Sequence, residues 1–104
     1  MFNFNSRKVY VYTKYVDMRK QFNGLISLTD LILKMDSRSN DLYLFFNKRK
    51  NYIKILFWDR TGYCILSKKL ERGTVSLDSE TEVKEIDISK LKLILDGIKL
   101  GRKQ

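Results

Sequence analysis

Lys48-Arg49-Lys50 is the only run of three consecutive cations in the chain, and it lies between two apolar runs, where a hairpin turn belongs. Cations on a rigid hairpin track phosphates at little entropic cost, and a two-stranded ribbon fits the DNA major groove. Lys54, Lys68, Lys69 and Arg72 follow on the next strand-like runs and would extend the tip into a basic stripe if they share its face. The plain alternative is a solvated tip, since hairpin tips are commonly polar and lysine blunts strand edges against aggregation. Arg19 and Lys20 fall at an expected helical N-terminus, where cations oppose the dipole and call for a partner. An intramolecular carboxylate such as Asp59 or Glu71 is the structural choice for them; a phosphate is the functional one. Tyr52 and Trp58 alternate onto the same strand face as Lys54, and an aromatic beside a cation stacks on nucleobases. Core or interface packing is the default for such rings.

Other chemistry is excluded by what is missing. The chain has no histidine, so Ser-His-Asp and Cys-His catalysis and zinc sites built on Cys and His are out of reach. Cys64 is the single cysteine; it sits mid-strand, permits no intrachain disulfide and reads as a small buried residue. Oxygen-ligand metal chemistry stays open through Asp17, Asp59 and Glu71. Capping explains Asp17 and turn formation explains Asp59, so a metal-dependent nuclease is the lesser reading. No catalytic residue, metal or cofactor is assigned.

Charge supports a polyanionic partner. The net charge is +9, and residues 1–72 hold 15 Lys and Arg against 6 Asp and Glu, while residues 73–104 hold 6 against 6. The entire excess therefore lies in the first two-thirds, as a surface that meets nucleic acid requires, although a basic surface also serves solubility alone. No apolar run reaches the ~20 residues of a membrane span, and the first residues lack a signal-peptide core. A cytoplasmic protein is expected, folded as one domain over 1–104.

The elements that must position these residues read as α+β. Residues 8–12 form a strand of β-branched and aromatic residues. Asp17 caps a helical turn through Met18-Arg19-Lys20, and the main helix runs from Phe22 to Met35. Asn23, Ser27, Asp30 and Lys34 make its polar stripe, and Leu25, Leu28, Ile32 and Met35 its buried face. Gly24 marks a bend near its start. After a loop at 36–41, three strands follow: Leu42 to Phe46, Tyr52 to Trp58 and Tyr63 to Leu70. The turn between the last two is Asp59-Arg60-Thr61-Gly62, with Gly62 left-handed. Alternation puts Ile53, Ile55 and Phe57 on one face of the middle strand and Tyr52, Lys54, Leu56 and Trp58 on the other. Residues 78–87 form an acidic loop into a short strand. Ser89 caps a last helix from Lys90 to Asp96, with Leu91 and Ile94 inward, an Ile88–Leu93 staple and Gly97 as the stop. The expected architecture is an antiparallel meander with one long helix and a short C-terminal helix.

Several of these segments carry a family resemblance. Asp17-Met18-Arg19-Lys20, Phe22 and Gly24-Leu25 resemble the opening motif of the TnpB accessory proteins of insertion sequence family sixty-six. Leu42-Tyr43-Leu44-Phe45-Phe46-Asn47 with Arg49 is similar to that family's central strand and basic turn. Ile53-Lys54, Trp58-Asp59, Gly62 and Lys69-Leu70-Glu71-Arg72-Gly73 resemble its later motifs in order and spacing, and Leu91 with Leu95-Asp96-Gly97-Ile98 its closing helix. The likeness covers residues 9–98. Gln21 replaces a usually small residue, Lys69 stands where arginine is common, and the region 73–87 departs from the pattern. The resemblance implies a protein that assists a separately encoded transposase and has no established catalytic activity. DNA and the transposase are the partners it points to, with self-association as a further option. An adaptor that binds the transposase without touching DNA is the alternative.

Overall fold

In the computed structural model, which describes residue 4, residues 6–77 and residues 79–96, five strands form one sheet. They are β1 (Val9–Tyr15), β2 (Leu42–Phe46), β3 (Tyr52–Asp59), β4 (Gly62–Lys69) and β5 (Val83–Ile86), in the spatial order β4-β3-β2-β1-β5. The expected meander is present in β2, β3 and β4, which pair antiparallel from Tyr43↔Leu56 through Asp59↔Gly62. The sheet as a whole is mixed, which corrects the antiparallel expectation. β1 runs parallel to β2, with Val9 opposite Leu42 and Tyr15 opposite Phe46. The cause is the connection: residues 16–41 carry a helix across one face, the crossover that parallel neighbours require.

β2 is buried along its whole length, because both faces of the sheet are covered. On one face Val9, Val11, Leu42, Leu44, Phe46, Ile53, Ile55 and Phe57 pack under the C-terminal helix α2 (Ile88–Leu95). On the other, Tyr43, Phe45 and Leu56 pack against Leu25 and Val16 and the helical segment that follows β1. A central strand covered on both sides reads as a continuous apolar run, and Leu42-Tyr43-Leu44-Phe45-Phe46 is that run.

No long helix forms among the described residues. The stretch expected as one helix from Phe22 to Met35 is a six-residue α1 (Phe22–Ser27) continued by a five-residue π-helical turn, Leu28–Ile32. Thr29 is fully buried and its hydroxyl donates to the Leu25 carbonyl at 2.8 Å, a local bond that competes with regular helix geometry. The Leu33 N–H reaches back to Leu28, Lys34 turns left-handed at φ 55°, and the Met35 N–H bonds the Thr29 carbonyl. That closes the helix. The wider turn rotates later side chains off the expected stripe, so Ile32 is 57% exposed where a buried position was expected. Asp30 is exposed as expected, yet its carboxylate holds the next loop, accepting from the Ser37 N–H and hydroxyl. The Asp17–Lys20 segment is a turn and not helical: Asp17 accepts from the Arg19 N–H, and the Lys20 N–H bonds the Asp17 carbonyl.

Two further boundaries differ. In the β3–β4 loop Arg60 takes the left-handed conformation, at φ 51°, and Gly62 is already paired with Asp59 in β4. A two-residue loop places the positive φ at its first residue. Asp87, and not Ser89, caps α2 by accepting from the Lys90 N–H at 2.9 Å. With the cap two residues earlier, Ile86 and Leu91 share one core cluster, while Leu93 is 37% exposed. Leu91 and Ile94 are inward as expected, and Gly97 and Ile98 lie outside the described residues.

Candidate nucleic-acid interface

The sheet topology gathers cations at one end. β1 and β2 run parallel and finish there, β3 begins there, and β4 returns there. The β2–β3 tip, Lys48-Arg49-Lys50, therefore stands beside the end of β4 and the segment after it. The Leu70 N–H bonds the Asn51 carbonyl at 2.7 Å, and the Val75 N–H bonds the Lys50 carbonyl at 2.8 Å, fixing the tip against residues 70–75. Between them lies an open groove lined by Arg49, Asn51, Lys69, Leu70, Glu71 and Arg72. Three of its six lining residues are cations and one is acidic, so its field favours an anion.

The tip is rigid for a loop. Asn47 accepts the Asn51 and Tyr52 N–H groups on its side-chain oxygen, both at 3.0 Å, and its amide donates to Asn51 at 2.7 Å. Lys50 sits at φ 57°, a left-handed conformation that an asparagine or glycine would occupy at lower cost. Lys48 and Arg49 are exposed, and the Lys48 ammonium lies 5.7 Å from the ring centre of Tyr15.

Of the sequence-derived candidates, Arg49, Lys69 and Arg72 meet in the groove, with Lys48 and Lys50 on the tip beside them. Lys68 points to the other face, where its ammonium bonds the Leu95 carbonyl at the end of α2. Lys54 is 2% exposed: its ammonium donates to the Lys20 carbonyl at 2.7 Å and lies 6.0 Å from the Tyr52 ring. It sits beneath the α1 layer and offers no surface to a phosphate. Arg19 has neither Asp59 nor Glu71 as partner. It forks onto Asp17, with its Nη2 2.6 Å from Oδ2 and its Nε within 3.1 Å of both oxygens. The Arg19 hydrogen bonds hold the Asp17 carboxyl at about 2, below its ordinary 3.8. Lys20 is exposed, and its stem lies along Gly24, where a Cβ would come within 3.2 Å of it.

Tyr52 is half-buried opposite Lys69, and directly paired residues project on one face, so it flanks the groove. Trp58 belongs to the far end of β3, half-buried, edge-on to Tyr63 at 5.0 Å and under the Arg38 guanidinium at 5.0 Å. That end carries both signs of charge: the Arg7 guanidinium donates to the Trp58 carbonyl at 3.0 Å, Arg38 lies over the ring, and Asp59 follows Trp58 at the end of β3. Asp59 is separated from the groove by the length of β3, roughly 24 Å at 3.4 Å per residue. Asp17, Asp59 and Glu71 therefore do not converge, and no group of three possible metal ligands occurs among the described residues. No helix among them is long and apolar enough to cross a membrane. Tyr15 and Asn51 were not among the candidates drawn from sequence. The signal for Tyr15 was available in its position at the end of an aromatic strand, one residue from Lys14.

The profile of a family described as IS66 Orf2 like protein matches residues 7–104. The uncharacterized protein y4jC of Sinorhizobium fredii is 33% identical over 66 residues, which is 64% of this chain and 56% of y4jC. The chain thus spans just over half the length of that relative. The uncharacterized protein y4hO of the same organism is 28% identical over 92 residues, 88% of this chain and 80% of y4hO. No solved structure matches the chain. A match that begins just before β1 and runs to the last residue of the sequence leaves no element of the sheet outside it: the chain belongs to the IS66 Orf2-like, or TnpB, family of insertion-sequence accessory proteins.

Proposed function

We propose that this accessory protein acts in transposition as a non-catalytic single unit that docks electrostatically on DNA through the Lys48–Lys50 tip and the adjoining groove. The observation that carries the reading is the meeting of Arg49, Lys69 and Arg72 in one open groove with a single carboxylate, Glu71. Phosphates on a rigid cationic edge are held by charge and counterion release, without a need for sequence. Lys54, Lys68 and Arg19 are left out of the docking set, because each is engaged within the protein. Work on DNA beside a transposase puts the protein in the cytoplasm.

The test is a salt titration of DNA affinity for wild type and for Lys48→Ala, Arg49→Ala and Lys50→Ala combined, with circular dichroism as the folding control. The triple change takes away up to three phosphate-neutralising charges and flattens the salt slope by about 0.9 for each phosphate no longer neutralised. Superimposable titrations from two folded proteins would refute docking at the tip.

One observation favours an adaptor as the second reading. β4 is an edge strand, and Leu66 on it is 42% exposed, which suits strand addition by a transposase segment or by a second copy. Under that reading transposase capture survives the triple change and DNA affinity is absent from the start.

A further inference from the structure

We infer that the basic end is built for an unpaired DNA strand, with Tyr15 as the residue on which a base stacks. The inference rests on the docking reading and adds the ligand's second chemistry. Tyr15 is 61% exposed at the last position of β1, in a protein whose Tyr43, Phe45 and Phe57 are all essentially buried. A large ring left in water needs a reason only when its surroundings fit a ligand, and here they do. The Lys48 ammonium lies 5.7 Å from the ring centre, so ring and tip cation form one surface. Tyr52, opposite Lys69 on the face that carries Lys54, is a second ring near the groove. A duplex presents phosphates and keeps its base faces stacked inside. An unpaired strand presents phosphates and π-faces together, which is the combination that cations interleaved with exposed aromatics recognise.

Placement on a strand strengthens the case. Tyr15 is held opposite Phe46, and the next residue, Val16, bonds the Phe46 carbonyl through its N–H at 2.8 Å. The ring is therefore carried on fixed backbone, and stacking orders little that is not already ordered. A duplex is still attracted by the cations, but without the ring's contribution.

The experiment compares a fluorescent thymidine oligonucleotide with a hairpin duplex of equal phosphate number by anisotropy at matched salt. Wild type binds the single strand more tightly. Tyr15→Ala weakens single-strand binding by roughly 5- to 150-fold, the range for loss of one stacked base, and leaves the duplex affinity and both salt slopes unchanged. Tyr15→Phe keeps the aromatic face and binds as wild type, whereas Tyr15→Leu keeps the bulk and behaves as Tyr15→Ala. Equal weakening on both ligands, or none on either, overturns the stacking role. If duplex binds and the tip triple variant weakens it while Tyr15→Ala changes nothing, docking stands and this inference falls. If wild type binds neither ligand at low salt, both fall.

Discussion

Lys50→Gly separates what the tip needs for folding from what it needs for binding, because the two effects have opposite sign. Lys50 occupies φ 57°, where an L-residue's Cβ crowds the following carbonyl at a cost of about 1–2 kcal/mol. Glycine avoids that cost but gains freedom in the unfolded chain, which takes back about 0.4–1 kcal/mol. The conformation itself does not depend on the lysine. Its N–H bonds the Asn47 carbonyl at 3.1 Å, its carbonyl accepts from Val75, and Asn51 beside it is tied to both Asn47 and Leu70. The net expectation is unchanged to modestly higher stability, by up to roughly 1.5 kcal/mol, read as an increased urea midpoint with the slope unchanged. Over the same change the DNA salt slope falls by about 0.9, because one phosphate is no longer neutralised. Urea denaturation and an anisotropy salt titration on one preparation give both numbers. A destabilised variant would refute the claim that the left-handed lysine is strained. An unchanged salt slope would refute its role in phosphate binding, and the strain at the tip would then have no functional reason on offer.

Other perturbations test separate parts of the molecule. Lys54→Met keeps the buried stem and shifts stability by no more than about 1.5 kcal/mol, whereas Lys54→Ala empties its site and costs about 2–5 kcal/mol; neither alters the DNA salt slope, which a phosphate-binding residue would. Asp17 titrates at about 2 in the folded protein and at its ordinary 3.8 unfolded, so its contribution to stability is full above pH 3.8 and lost as pH falls toward 2. Carboxyl NMR titration checks it, and Arg19→Ala moves the value back up toward 3.8. Tyr43→Phe removes a buried phenol that donates to the Asp36 carbonyl at 2.8 Å and meets the Ser39 hydroxyl at the same distance. A decrease of about 0.5–1.5 kcal/mol in chemical denaturation is expected, with DNA binding intact.

The sequence by itself determined whatever depends on neighbours along the chain. Apolar runs rich in β-branched and aromatic residues, with the Asn47–Asn51 and Asp59–Gly62 punctuation, specify β2, β3 and β4 and their antiparallel pairing, and Leu91 and Ile94 specify the inward side of α2. The clustering of cations before residue 73 was equally plain. What distant parts of the chain decide was not legible. The residues of β1 do not say that β2 is a parallel neighbour, since that follows from the route of residues 16–41 across the sheet. Helical periodicity runs on past Ser27, but the buried Thr29 hydroxyl on the Leu25 carbonyl and the left-handed Lys34 end the regular helix early. Lys54 shows the limit most clearly. Alternation places it on one face with Tyr52, Leu56 and Trp58, and that is where it lies. Whether such a face meets water or protein depends on what folds over it; here the α1 layer covers it, and the Lys20 carbonyl, 34 residues away in the chain, takes its ammonium.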